Sequence, residues 1–181
     1  MSVPDAGGLP AITLVLGGAR SGKSRHAEAM VTAAAKAGTY IATAEPGDTE
    51  MAARIAHHRA RRGDFWRAVE VPLDLPQAIL AHAGPVRPIL VDCLTLWLSN
   101  LLGAGRVVEH EAEALCGALP DAAGPVVLVA NEVGLGLVPD TPLGRRFRDE
   151  AGRLNQAVAA LADRVVFVAA GLPLVLKDNR Q

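Results

Sequence analysis

The residues with the clearest chemical capacity lie near the start of the chain, in Gly17-Gly18-Ala19-Arg20-Ser21-Gly22-Lys23-Ser24, which fits the pattern G-x-x-x-x-G-K-[ST]. Glycines in such a loop let successive backbone N–H groups turn inward and form a concave cage for phosphate oxygens. Lys23 then supplies positive charge to the β- and γ-phosphates, and the Ser24 hydroxyl is placed to ligate Mg²⁺. A helix starting here adds the positive end of its dipole to the same anion. The chemistry expected is binding of a nucleoside triphosphate.

Three further groups of residues have chemical potential. Ile89-Leu90-Val91-Asp92 is an aliphatic run ending in a carboxylate, the arrangement in which a second acid holds Mg²⁺ opposite a phosphate loop. Asp92 alone would serve equally as a helix cap; the loop upstream favours the metal role. His57 and His58 are adjacent, so on a helix their side chains point about 100° apart and cannot do the same job. His58 shares a face with Met51, Ile55 and Arg62, whereas His57 aligns with Glu50, Ala53, Arg54 and Arg61. A neutral imidazole can attack phosphorus or move a proton, and the neighbouring arginines can steady phosphates. The pattern by itself leaves a basic surface helix equally open. Glu132, in a Gly-containing loop after an apolar run, and Glu70, closing Trp66 to Glu70, are open between substrate contact and structure.

The elements that must position these residues follow from the apolar pattern. Strands are expected at Ile12 to Leu16, Tyr40 to Thr43, Pro88 to Asp92, Val126 to Ala130 and Val165 to Ala170, with Trp66 to Val71 and Leu174 to Lys177 as weaker additions. Helices are expected at Lys23 to Lys36, Thr49 to Arg62, as a pair within Thr95 to Leu119, and at Leu143 to Leu161. The last carries Leu143, Phe147, Ala151, Leu154, Val158 and Leu161 as one stripe for the sheet. Alternating strands and helices predict an α/β fold with a largely parallel central sheet flanked by helices. Residues 1–10 read as a flexible N-terminus and 11–181 as one nucleotide-binding domain.

Composition narrows the function classes. Half of the 181 residues are hydrophobic but only 3% are aromatic, and the net charge is -1. That balance offers neither the basic surface nor the aromatic platform that nucleic-acid binding requires, which argues against an NTP-driven motor on DNA or RNA. No apolar run reaches membrane-spanning length, and no leader pattern opens the chain, so a cytoplasmic protein is expected. Cys93 and Cys116 lack the spacing of a zinc set and read as packed thiols.

Gly17 to Glu28, Tyr40 to Thr43, Met51 to His58, Asn131 to Gly134 and Phe147 to Gln156 together resemble, in order, the bifunctional adenosylcobinamide kinase and adenosylcobinamide-phosphate guanylyltransferase family of cobalamin biosynthesis. The resemblance runs from about Thr13 to Lys177 and implies a RecA-like P-loop NTPase fold, assembled as a homotrimer. It implies phosphorylation of adenosylcobinamide by ATP or GTP, followed by transfer of GMP from GTP to adenosylcobinamide phosphate through a histidine, with Mg²⁺ as cofactor. The nucleophile then falls on His58. Nucleotide contacts carry over to Gly17 through Ser24, to Thr43, Ala44 and Glu45, to Arg59, Ala60, Arg61 and Arg62, and to Glu70 and Asp92. A single-function small-molecule kinase is the nearest alternative.

Overall fold

The computed structural model describes residues 8–45 and 63–179. Seven strands form one sheet in the order β3-β2-β4-β5-β1-β6-β7. In chain order they are β1 (Ile12–Gly17), β2 (Gly38–Ala42), β3 (Trp66–Glu70), β4 (Ile89–Asp92), β5 (Val126–Asn131), β6 (Arg164–Ala169) and β7 (Leu172–Asp178). All neighbours are parallel except β6 and β7. Among the described residues the helices are α1 (Lys23–Ala34), α2 (Leu75–His82), α3 (Leu94–Gly103), α4 (Val108–Ala118) and α5 (Pro142–Leu161).

β1 is buried along its whole length because it lies between β5 and β6 and is covered on both faces. Its alternate residues join two cores. Leu14 and Leu16 face the larger one, built with Leu75, Ile79, Trp97, Leu98, Leu115, Leu154 and Val158 from α2 to α5. Val15 faces the other, with Ala27, Met30 and Val31 of α1 and Tyr40 of β2. The indole of Trp97, wholly buried, donates to the Leu73 carbonyl at 2.6 Å, so the largest core side chain leaves no orphan donor.

Both weaker strand expectations are met, by β3 and β7, at the two edges of the sheet. α2 was not expected. Pro76 obscures it, yet proline is tolerated in the first turn, where its missing N–H has no intrahelical acceptor. The α5 stripe needs correction at its ends. Ala151, Leu154 and Val158 are buried, but Leu143 is 64% exposed and Leu161 38% exposed, because only the middle of this 20-residue helix lies over the sheet. The Thr95 hydroxyl, in the first turn of α3, accepts from the Asn131 N–H at 2.7 Å. The helix expected at 49–62 lies outside the described residues.

Candidate nucleotide site

The parallel sheet brings the carboxyl ends of β1, β2, β4 and β5 to one edge, where open α/β folds bind ligands. β1 runs into the phosphate loop with Gly17. A Cβ there would come within 2.5 Å of both Ser21 Oγ and the Val168 carbonyl, so only glycine lets the loop fold back on itself. Arg20 (φ 57°) and Gly22 (φ 96°) take left-handed conformations, and Gly22 caps α1. The first turn of α1 carries no acidic residue, so its amides keep their full attraction for an anion. Lys23 is 9% exposed and donates to the Gly18 carbonyl at 3.2 Å, which folds its ammonium over the loop.

The loop is braced from both neighbouring strands. On the β6 side the Gly171 N–H donates to the Ser21 carbonyl at 2.8 Å, from a turn whose two residues, Ala170 (φ 51°) and Gly171 (φ 79°), are both left-handed. On the β5 side the Glu132 N–H donates to the Gly17 carbonyl at 3.1 Å. The Glu132 carboxylate is turned onto its own loop, accepting from the Gly134 N–H at 2.6 Å.

Asp92 ends β4, two strand spacings from β1, or about 10 Å across the sheet. Its Oδ2 accepts from the buried Tyr40 hydroxyl at 2.6 Å, a contact that fixes the carboxylate. Burial, and then the charge of Asp92, push the next residue's thiol, Cys93, up to about 11, against smaller lowering by the backbone of Leu96 and the charge of Lys23. Ser24 and Asp92 give hard oxygen donors, and no group of three or more metal-ligating side chains occurs among the described residues. This set fits Mg²⁺ arriving on phosphate oxygens, an ion that ordinarily takes one or two protein ligands.

The remaining expected contacts divide. Thr43 is wholly buried, its hydroxyl donating to the Cys93 carbonyl at 2.8 Å and accepting from the Cys93 N–H at 2.9 Å. It ties β2 to the turn after Asp92. Asn100, which the sequence did not single out, holds the Thr43 carbonyl at 2.7 Å and the Pro72 carbonyl at 3.0 Å from one amide nitrogen. Ala44 is half-buried and Glu45 exposed on the same rim. Glu70 ends β3 at this edge but stands four strand spacings from Gly17, roughly 19 Å away. His58, Arg59, Ala60, Arg61 and Arg62 lie outside the described residues.

Residues 13–176 match the family described as cobinamide kinase / cobinamide phosphate guanyltransferase. The chain is 52% identical over 168 residues to the bifunctional adenosylcobalamin biosynthesis protein CobP of Pseudomonas aeruginosa, covering 92% of this chain and 97% of that protein. It is 44% identical over 179 residues to the protein CobU, described in the same words, of Salmonella typhimurium, covering 91% and 98%. Among solved structures, the type III secretion ATPase EscN from enteropathogenic E. coli matches with TM-score 0.56 at 12% identity, over 89% of this chain and 43% of that one. The flagellar accessory protein FlaH from Methanocaldococcus jannaschii matches with TM-score 0.54 at 10% identity, over 95% and 80%. These likenesses show the fold, the mostly parallel helix-flanked sheet of RecA-like P-loop NTPases.

Proposed function

Because the chain belongs to the cobinamide kinase / cobinamide phosphate guanyltransferase family, we propose that it phosphorylates adenosylcobinamide with ATP or GTP and then converts the product to adenosylcobinamide-GDP. The observation that carries this reading is the phosphate loop braced at the head of β1, with Lys23 folded over it and Asp92 held at the same edge.

In the first step the acceptor hydroxyl oxygen attacks the γ-phosphorus, the bond from that phosphorus to the bridging oxygen breaks, and the nucleoside diphosphate leaves as the hydroxyl proton is lost. Lys23 and the loop amides bind the phosphates and neutralise charge as it shifts toward the leaving oxygen. Ser24 and Asp92 would hold Mg²⁺, which supplies further charge neutralisation when bound. In the second step a nitrogen of His58 attacks the α-phosphorus of GTP and pyrophosphate leaves. A phosphate oxygen of adenosylcobinamide phosphate then attacks that phosphorus, the P–N bond breaks, and the imidazole is regenerated. Arg59, Arg61 and Arg62 follow the nucleophile in sequence and are assigned to the nucleotide, as are Ala60, the Thr43-to-Glu45 rim and Glu70. We place the enzyme in the cytoplasm as a homotrimer; the exposed Leu172, Leu174 and Leu176 of edge strand β7 are what such an assembly would cover.

The test is incubation with Mg²⁺ and GTP labelled at the α-phosphate, followed by denaturation and peptide mapping beside His58→Ala. An acid-labile, alkali-stable label on the peptide containing His57 and His58, absent from the variant, is the expected result. If GTP binds and cobinamide is phosphorylated but no label forms, the guanylyl half of the reading fails and the protein is a kinase alone.

A further inference from the structure

The corrinoid acceptor is a broad macrocycle edged with methyl groups and amide arms, and its reacting hydroxyl sits at the end of one flexible arm. When that hydroxyl meets the terminal phosphate, the ring must rest on surface just outside the phosphate loop. The sheet order decides which side. Toward β6 the loop is closed by the Ala170–Gly171 turn, bonded directly to Ser21. Toward β5 and β4 lies Asp92, so the reacting end of the triphosphate faces the segment that leaves β5.

That segment, residues 133–139, contains no charged side chain. It holds Leu135 82% exposed, Leu137 96% exposed and Val138 60% exposed, and Leu143 at the start of α5 adds to the same stretch of chain. Its course is built at both ends. The Glu132 N–H is bonded to Gly17, and the Glu132 carboxylate grips the Gly134 N–H. At the far end the Arg145 guanidinium donates to the Pro139 carbonyl at 3.0 Å and the Asp140 carbonyl at 2.8 Å, while the Thr141 hydroxyl caps α5 through the Gly144 N–H. A braced loop that keeps large apolar side chains in water, next to a phosphate site, has the character of a ligand rim.

We propose that residues 133–139, with Leu143, form the seat of the corrinoid ring, the leucines packing on its methyl-edged face. The proposal rests on the cobinamide kinase reading above. The test is equilibrium dialysis of wild type and the double variant Leu135→Ser/Leu137→Ser against cobinamide, followed by its visible absorbance, with GTP affinity and mass by light scattering measured alongside. The expected result is cobinamide binding weakened by about tenfold or more, with GTP affinity held within about twofold and the mass unchanged. The pair Leu135→Ile/Leu137→Ile should retain wild-type binding. Unchanged cobinamide affinity in the serine variant overturns the proposal, and so does a fall in mass, which would make the segment a contact between copies. Failure of the wild type itself to bind cobinamide would instead overturn the reading on which the proposal rests.

Discussion

Lys23 and Asp92 show how much of a residue's role is set by its neighbours. Lys23 is nearly buried and its charge is aimed over the loop, so replacing it removes that charge from the phosphate site. Lys23→Met should lower kcat/KM of the kinase reaction by about a hundredfold or more while the thermal midpoint changes little, checked by steady-state kinetics and calorimetry. Asp92 would keep its charge in Tyr40→Phe but lose the 2.6 Å bond that orients it. Hydrogen bonds to charged groups contribute roughly 1.5–3 kcal/mol, so the Mg²⁺ concentration for half-maximal velocity should rise by about tenfold. Mn²⁺ binding in the presence of nucleotide, followed by electron paramagnetic resonance, should weaken in parallel. Metal affinity equal to wild type would show that Tyr40 serves only the core.

At the scale of elements, the loop depends on what leans against it. The turn between β6 and β7 supplies the Gly171 N–H to Ser21 while Gly171 sits at φ 79°. Gly171→Val forces a β-branched residue toward a left-handed conformation and should raise the KM for nucleotide severalfold or more. Asn tolerates that conformation and keeps the N–H, so Gly171→Asn should retain most nucleotide affinity. Equal losses in both variants would count against a bracing role. The sequence shows β1, the phosphate loop and α1 plainly, because glycine spacing and an aliphatic run are local signals. It does not show the Gly171–Ser21 bond or the Tyr40–Asp92 bond, which join residues 150 and 52 positions apart. It also misleads on α5. The periodic stripe from Leu143 to Leu161 is real, yet the helix outruns the sheet beneath it, and Leu143 is left exposed.

For the whole molecule, stability should carry a signature of His26. Burial, and then the charge of Arg164, lower its pKa from the ordinary histidine value of 6.5. The unfolded imidazole therefore binds a proton at a pH where the folded one does not, and stability falls as pH drops below about 6.5 toward the folded value. Denaturant midpoints measured between neutral and mildly acidic pH should decline, and His26→Gln should flatten that part of the profile. An equal slope in the variant would assign it to other groups.

The strand order has a temporal consequence. β1 is made before both of its partners, residues 126–131 on one side and 164–169 on the other. Gly17 is shielded by Val168, and Ser21 is anchored by Gly171. During vectorial synthesis the phosphate loop thus leaves the ribosome well before the strands that frame it. A nascent chain halted before β6 already contains every glycine of the motif, yet lacks the wall that holds them in place. Nucleotide capture by this protein therefore waits until β6 and the turn after it have been made.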